Sequence, residues 1–212
     1  MSLQSRAFAA LTAALLLAGC GSQGPAPIVS LADRACTPQP SLLGTPTLLL
    51  GGSNKMDVAV DVGAPCVEAP DGSRSAYIAV SLPATSVPYV LSVRSAILGQ
   101  TVFAPRMELL DGEGHVLRDI PRSAFMFHGA SLYAAVRSHI NDRFLIVFSD
   151  AGTVGQTKSQ VHEEINQQTF TSVTPTAVVA VNVNTGSDHT IAFTYADNGK
   201  LTITAAPLPA AE

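Results

Sequence analysis

The stretch QTVFAPRMELLDGEGHVLRD (Gln100–Asp119) carries the strand and turn signals that decide the fold class. Pro105 lacks a backbone N–H and disfavours helix at the residue before it, so it belongs at the start or edge of a strand. The letters RMELL then alternate polar and apolar, as a half-buried strand does. Asp111–Gly114 is turn chemistry, because its two glycines tolerate a positive φ. The stretch therefore predicts a β-hairpin, with Glu108 and Arg118 as an exposed pair across it.

Short apolar strands recur around this hairpin at the spacing typical of an antiparallel β-sandwich. Most alternate apolar with polar residues, and the last is apolar on both faces, as expected of a strand covered on both sides. They are Met56–Val62 (with Val58, Val60 and Val62 inward), Tyr77–Leu82, Tyr89–Ser95, Ser131–Arg137 and Arg143–Ser149. The pattern predicts a mainly β fold, an antiparallel β-sandwich of the jelly-roll or Ig-like type.

The last third of the chain carries two further signals. Gly152–Gln168 lacks strand alternation, and Val161 and Ile165 are four residues apart, which predicts one short, weakly amphipathic surface helix. The pair Asn198-Gly199 stands between two β-rich segments and supplies the positive φ angles that a type I′ turn needs. These residues predict a C-terminal β-hairpin.

Together with the features of the first twenty residues described next, these signals divide the chain into five expected segments. They are a signal peptide over 1–19, a lipid-anchored tether with an irregular segment over 20–52, a β-sandwich domain over 53–150, a short helix and linker over 151–172, and C-terminal strands that complete or pack on the sandwich over 173–207.

The first twenty residues have the features of an export signal. Arg6 supplies the positive end, and the apolar run Ala7–Leu17 is shorter than the roughly 20 residues of a membrane-spanning helix. Leu-Ala-Gly-Cys, ending at Cys20, resembles the lipobox of bacterial lipoproteins, in which the cysteine is acylated. The alternative is an ordinary signal cleaved beside an incidental cysteine. Gly21, where inner-membrane lipoproteins usually carry Asp, favours an anchor in the outer membrane that faces the periplasm.

With Cys20 acylated, Cys36 and Cys66 remain as an even pair in an oxidising compartment. A bridge between them would close about 30 residues and stabilise the fold by roughly 3 to 4 kcal/mol. The competing interpretation is a cysteine-based metal site, which lacks clustered histidines or further cysteines. A structural disulfide is the favoured prediction.

Composition and charge exclude several kinds of partner. The net charge is −4 and only 13% of the residues are charged, so no basic surface is expected to neutralise nucleic-acid phosphates. Trp is absent and only four Tyr are present, which disfavours an aromatic platform for a sugar ring. Polar loops remain open as a means of binding carbohydrate.

No motif predicts a catalytic residue, a cofactor or a metal site. His162-Glu163-Glu164-Ile165-Asn166 approaches a zinc-protease motif, but Asn166 stands where the second histidine is needed. There is no Gly-x-Ser-x-Gly element and no phosphate-binding glycine loop. The five histidines have no metal-ligand spacing in sequence; they are His115, His128, His139, His162 and His189.

Two segments resemble the maltose operon periplasmic protein family. TVFAPRMELLDGEGHVLRDIPRSAFMF begins at Thr101, and DRFLIVFSDAGTVGQTKSQVH begins at Asp142. They contain the family's Val-Phe-Ala-Pro strand, the apolar strand ending in Leu-Asp, the aromatic-rich segment and the later apolar strand running into a Thr-containing helix start. The resemblance covers roughly residues 77–160. It implies an exported protein associated with maltose and maltodextrin uptake, without established catalytic residues to transfer.

The function expected from these features is that of a non-catalytic, lipid-anchored accessory to carbohydrate uptake. Its expected partners are the membrane, through the anchor, and maltodextrin or envelope transport proteins. The alternative is a general structural or assembly lipoprotein of the envelope that binds protein partners. No sequence feature assigns the ligand-binding residues.

Overall fold

The structure, a computed structural model, describes residues 29–51, 54–174 and 177–208, and for residues 160–189 it describes the backbone alone. The expected signal peptide and Cys20 lie outside the described residues. Within the described part the chain is mainly β, with thirteen strands in two sheets and one 3-10 helix, Arg122–Ala124. The expectation of a mainly β fold is confirmed.

The strands are numbered along the chain. They are β1 (Lys55–Val60), β2 (Cys66–Glu68), β3 (Arg74–Ser81), β4 (Tyr89–Leu98), β5 (Thr101–Phe103), β6 (Pro105–Leu110), β7 (Val116–Ile120), β8 (Met126–Phe127), β9 (Ser131–Arg137), β10 (Phe144–Ser149), β11 (Thr157–Thr174), β12 (Ala177–Ala196) and β13 (Gly199–Pro207).

The larger sheet has eight strands and the smaller has five. The larger runs in the order β1-β13-β4-β5-β12-β11, with β9 also paired to β4 and β8 paired to β9. The smaller runs β2-β3-β10-β6-β7. Among the described strands the pairings are antiparallel except that of β5 with β12, which is parallel. The sheets are therefore rich in antiparallel pairs that join strands distant in sequence.

One hydrophobic core lies between the two sheets. It takes side chains with no exposed surface from both sheets: Leu91 and Val93 of β4, Leu201 and Ile203 of β13, Met107 and Leu109 of β6, and Leu145 and Val147 of β10. A second, smaller cluster lies on the other face of the five-stranded sheet: Tyr77, Leu110, Ile146 and Phe148. Strand β10 is therefore buried on both faces, as its continuous apolar sequence predicts.

The stretch that opens the sequence analysis crosses from one sheet to the other. Its hairpin is confirmed, since β6 and β7 pair antiparallel and Pro105 is the first residue of β6. Strand β5, however, belongs to the eight-stranded sheet. The buried Ala104 joins the two, donating its N–H to the carbonyl of Ala196 (3.1 Å) and accepting from the N–H of Asp150 (2.7 Å). The crossing is thus hydrogen-bonded on both sides.

The predicted pair of Glu108 with Arg118 is wrong. Asp119 is the residue opposite Glu108, which places Arg118 on the other face of the strand. Arg118 Nη2 donates instead to the carboxylate of Asp142, which is 1% exposed and also accepts from the N–H of His139 at 2.7 Å. A cross-strand pair depends on the register of the hairpin, and a bulge after Leu109 alters that register.

The predicted helix over Gly152–Gln168 is also wrong, because this segment enters strand β11. Val161 and Ile165, four residues apart, fit a helix of period 3.6 and equally a strand of period 2. The β-branched and aromatic residues of Thr169–Thr174 favour the strand. Pairing with β12 over eighteen positions then decides the conformation.

The C-terminal hairpin is not formed, although both of its segments are strands. Strand β13 pairs with β1 and β4, while β12 pairs with β5 and β11, so two strands separate them in the sheet. Gly199 does not have a positive φ, as a type I′ turn would require. A Cβ atom there would lie 2.8 Å from Cβ of Phe103, so the glycine is needed for close packing.

The prediction that Val62 faces inward is wrong, because Val62 lies beyond the end of β1 and is 72% exposed.

We expect Gly199→Ala to lower the free energy of unfolding by about 1 to 3 kcal/mol, because the added methyl overpacks the core against Phe103. Urea denaturation measures the change. Gly112→Ala in the β6–β7 turn is the matched control, since its added Cβ would meet its nearest neighbour at 3.8 Å. Equal stability of Gly199→Ala and the wild type would contradict the role assigned to this contact.

Candidate functional site

An open cleft of about 490 Å³ lies on the outer face of the five-stranded sheet, and we call it the outer cleft. The strands β2, β3, β6 and β10, the loop after β10 and the segment before β1 contribute to it. Its lining includes Pro38, Pro40, Glu68, Pro70, Asp71, Ser73, Arg106, Glu108, Phe148 and Asp150. The outer cleft therefore combines rigid proline rings with several carboxylates and one guanidinium group.

Arg106 is held in the outer cleft by groups on three sides. Its guanidinium lies 4.4 Å from the ring centroid of Phe148, the residue opposite it in β10. Its Nη1 atom donates to Glu108 Oε1 at 2.8 Å and lies 3.9 Å from Asp119 Oδ1. Alternation along β6 places Arg106 and Glu108 on one face, which brings both to the cleft. The planar guanidinium is thus preoriented and offers donors at fixed positions.

The disulfide Cys36–Cys66 is present, which confirms that prediction. It ties the segment before β1 to the beginning of β2. The backbone at Thr37 then forms an isolated parallel bridge with Val67. Since Pro38 and Glu68 follow the two cysteines and line the outer cleft, the disulfide supports one of its walls.

Carboxylates outnumber cations in the lining of the outer cleft. Glu68, Asp71, Glu108 and Asp150 line the outer cleft together with one cation, Arg106, and Glu68 pairs with Arg74 at 2.7 Å. The Ser73 hydroxyl, followed by its backbone N–H, holds the pKa of Asp71 below its ordinary value. An acidic cleft with fixed donors and acceptors fits a neutral polyhydroxyl ligand better than an anion.

A second open cleft, of about 410 Å³, adjoins the first at Asp150, which lines both. Arg122 lies over the ring of Tyr195, 4.5 Å from its centroid, and donates to its hydroxyl. Lys158 also lines this cleft. The second cleft therefore presents two cations beside Asp150, in contrast with the acidic outer cleft.

Ser149, which directly precedes the shared cleft residue Asp150 in sequence, belongs to a buried polar cluster with Asp197. Ser149 Oγ accepts from the N–H of Ala76 at 2.9 Å and donates to Asp197 Oδ1. Ser149 and Asp197 are 0% and 8% exposed. Burial raises the pKa of Asp197, and the hydrogen bond from Ser149 opposes that shift in part. The cluster positions the loop that begins at Asp150.

Three potential metal ligands lie together in the turn between β6 and β7. Atoms of Asp111, Glu113 and His115 come within 4.8 Å of one another. Asp111 Oδ1 accepts from the N–H groups of Glu113 and His115, each at 2.9 Å, and these bonds lower the pKa of Asp111. The geometry of the turn therefore accounts for their proximity.

The histidine motif that resembles a zinc-protease helix lies in β11. Because a strand does not place residues i and i+4 as a helix does, the backbone argues against that motif. The register sets His162 directly opposite His189 in β12, a juxtaposition that the sequence does not reveal. The sequence also missed Arg106 and Glu108 as cleft residues, although alternation along β6 was a signal that they share a face.

Comparison with protein-family models, curated proteins and solved structures finds no match to the chain. The resemblance to the maltose operon periplasmic protein family therefore stays a prediction from the sequence. Over the part of the chain that the structure describes, no helix is long and apolar enough to span a membrane.

We expect the double variant Cys36→Ser/Cys66→Ser to lose about 3 to 4 kcal/mol of the free energy of unfolding, because the unfolded chain regains the freedom of a loop of about 30 residues. Urea denaturation with and without reductant provides the measurement. Reductant should destabilise the wild type and leave the variant unchanged. Equal stability of the oxidised wild type and the variant would contradict this role.

Asp197→Asn should stabilise the protein at pH 7. With its pKa raised, native Asp197 binds its proton more tightly than in the unfolded chain, so stability falls as pH rises from the unfolded pKa through the raised native one. The neutral amide removes that loss while keeping an oxygen to accept from Ser149. Thermal unfolding between pH 3 and 8 should show the gain of the variant growing with pH.

Asp57→Asn is the control, and it should change the free energy of unfolding at pH 7 in the opposite direction, lowering it. The Thr202 hydroxyl donates to Asp57 Oδ1 at 2.6 Å and is the largest cause of its lowered pKa. This carboxylate contributes stability above its unfolded pKa, which is lost as pH falls through the lowered native value. A pH-independent effect of Asp197→Asn would contradict the burial of a charged carboxylate.

Proposed function

We propose that this chain is a non-catalytic lipoprotein that faces the periplasm and assists carbohydrate uptake by binding a maltodextrin or a transport protein. In this proposal Cys20 carries the lipid that anchors the chain. Gly21 is most consistent with an anchor in the outer membrane. The scaffold would be an antiparallel β-sandwich of the jelly-roll or Ig-like type. Export and the maltodextrin association rest on the sequence resemblances.

The outer cleft is the observation that carries the proposal. A sugar chain offers hydroxyl groups that donate and accept, together with apolar ring faces. Carboxylates such as Glu108 and Asp71 accept hydrogen bonds from hydroxyls, and the Arg106 guanidinium donates to them. The apolar ring faces would lie against Pro38, Pro40 or the guanidinium plane rather than against Phe148, whose side chain is buried.

The shape of the outer cleft supports binding rather than chemistry. It is open, so a bound glycan would stay in contact with water, and the neighbouring Ser149–Asp197 cluster is buried with its hydrogen bonds directed inward. Among the described residues, no histidine lines the outer cleft beside a nucleophile. A protein that holds a ligand and releases it requires only such reversible contacts.

The alternative function is that of a structural or assembly lipoprotein that binds protein partners in the envelope. The observation that favours it is the long pair of strands β11 and β12, whose edges offer backbone groups to a partner strand. Crosslinking in cells separates the two functions. Capture of sugar-transport components supports the first, and capture of assembly or porin components alone supports the second.

Maltodextrins of three to seven units should bind the wild type in calorimetry, and Arg106→Gln should weaken binding by about tenfold or more, because the charged donors are lost. Asp71→Asn, in an exposed loop of the same cleft, should weaken it less. Arg137→Gln on the eight-stranded sheet is the matched control and should bind like the wild type.

Thermal unfolding of each variant would show that the folds are intact. Cellodextrins of equal length test whether the linkage matters. An absence of heat with every maltodextrin, together with no co-purifying transport protein, would overturn the proposed function.

A further inference from the structure

The second cleft, of about 410 Å³, differs in charge from the outer cleft that it adjoins. Its charged lining residues are Arg122, Lys158 and Asp150, so the lining carries one net positive charge. Polar side chains form the rest of the lining, apart from Pro121: Ser123, Thr153, Gln156 and Tyr195. The volume lies within the range of sites for small molecules, and the excess charge is suited to an anion.

Arg122 is fixed in the second cleft by three contacts. Its guanidinium lies 4.5 Å from the ring centroid of Tyr195, and its Nη2 atom donates to the hydroxyl of that residue. Its Nη1 atom donates to the carbonyl of Phe125 at 3.0 Å. Since each of these two nitrogens carries two N–H bonds, Nη1 and Nη2 each keep one further donor. The guanidinium is therefore held in one orientation with donors left for a ligand.

The charges of Arg122 and Lys158 have no carboxylate partner among the side chains that the structure describes. The arginine and lysine ion pairs found there involve other residues: Lys55, Arg74, Arg106 and Arg118. The carboxylate of Asp150 is engaged in its own turn, because Oδ1 accepts from the N–H of Gly152 and Oδ2 from the hydroxyl of Thr153, each at 3.2 Å. An anionic ligand would supply the charge that this cleft leaves unmatched.

The hydroxyl of Tyr195 adds a donor beside the Arg122 guanidinium. The Tyr195 side chain is 3% exposed, and its ring packs edge-on against Phe193 with 5.5 Å between the centroids. Its oxygen accepts from Arg122, and its own proton has no acceptor among the described residues. A ligand oxygen at this point can accept from both groups, as a carboxylate does when it is bound by charged and neutral donors together.

Asp150 limits the charge that a ligand can carry in the second cleft. Its carboxylate offsets one of the two cations, so a monoanion matches the remaining charge and a dianion exceeds it. A neutral sugar leaves that charge unmatched. The planar guanidinium of Arg122 also matches the geometry of a carboxylate, to which it donates two parallel hydrogen bonds. Charge and shape therefore both favour a carboxylate.

We propose that the second cleft is a binding site for the carboxylate of a small hydroxy acid, with sugar acids as the class that fits its polar lining. Arg122 and Tyr195 donate to the carboxylate oxygens, and Lys158 adds the second positive charge. Ser123 and Gln156 form hydrogen bonds with the hydroxyl groups of the ligand. The inference goes beyond the proposed function and does not depend on sugar binding in the outer cleft.

Calorimetry of the full chain with D-glucuronate, D-glucose and sulfate tests the charge of the ligand. Glucuronate should bind the wild type. Glucose carries a hydroxymethyl group in place of the carboxylate and should bind at least about tenfold more weakly, because the charged hydrogen bonds are lost. Sulfate, a dianion, should also bind more weakly than glucuronate. Added salt should weaken glucuronate binding, since it screens the attraction between the charges.

Substitution of the two cations tests the residues. Arg122→Gln should weaken glucuronate binding by about tenfold or more, and Arg122→Lys, which keeps the charge and loses the planar fork, should weaken it less. Lys158→Gln should weaken it about threefold, because an exposed charge contributes less. Thermal unfolding of each variant shows whether the fold is intact.

Two residues outside the second cleft provide matched controls. The guanidinium of Arg94 also lies over a tyrosine ring, 5.3 Å from the centroid of Tyr133, and Lys200 is an exposed lysine of β13. Neither lines the cleft. Arg94→Gln and Lys200→Gln should therefore bind glucuronate like the wild type.

Asp150→Asn provides a gain that a misfolded variant would not show. The amide keeps an oxygen to accept from the N–H of Gly152, while the negative charge is removed. Glucuronate should bind more tightly than to the wild type, and the affinity for sulfate should rise by a larger factor, because the variant cleft then carries two positive charges.

Several outcomes would overturn the proposal. They are no binding of glucuronate to the wild type, equal binding of glucose and glucuronate, and tighter binding of sulfate than of glucuronate. An unchanged affinity for glucuronate in folded Arg122→Gln would also overturn it, since the carboxylate would then lie elsewhere. A weaker affinity for both anions in Asp150→Asn would contradict the role given to that charge and would equally reject the site.

Discussion

The chain passes from the larger sheet to the smaller at Ala104–Pro105, and both the core and the clefts depend on that crossing. Pro105 cannot donate to a ladder, so β5 ends before it and β6 begins in the other sheet. The carbonyl of Ala104 holds the N–H of Asp150, the residue shared by the two clefts. Phe103, fully buried beside Gly199, brings the start of β13 against the same crossing. The packing of one short segment thus positions both sheets and the loop at their surface.

Two enclosed carboxylates, those of Asp142 and Asp197, contribute differently to the stability of the fold. Asp142 is enclosed, but its carboxylate accepts hydrogen bonds from Arg118 and from the N–H of His139. Burial, followed by the charge of Asp142, raises the pKa of the nearby Tyr89 to about 12. Asp197 is enclosed with a neutral hydroxyl as its partner, which leaves its charge poorly compensated. The first carboxylate is paired, whereas the second costs stability at neutral pH. In the outer cleft the carboxylates stay near water, where that cost is small.

The individual strands were predictable, and their partners were not. Strands β3, β4 and β9 follow the alternation that local sequence displays, β10 follows its continuous apolar run, and the β6–β7 hairpin follows its glycine turn. The pair Asn198-Gly199 failed as a hairpin signal because packing on Phe103 outweighed local turn preference. The helix failed because a spacing of four residues does not distinguish between the two periods. In the candidate site, alternation along β6 places Arg106 and Glu108 on one face, but only the pairing with β10 sets Arg106 on Phe148.

The sequence by itself determined the mainly β class, the inward faces of several strands and the pairing of Cys36 with Cys66, because hydrophobic period, turn chemistry and cysteine parity are local or compositional signals. The tertiary structure alone decided which strands neighbour each other, where the clefts lie and that β11 and β12 form a long ribbon with an open edge. Those features arise from pairings between residues far apart in the chain. Their free energy depends on burial and register in the assembled sheets, which no single segment contains.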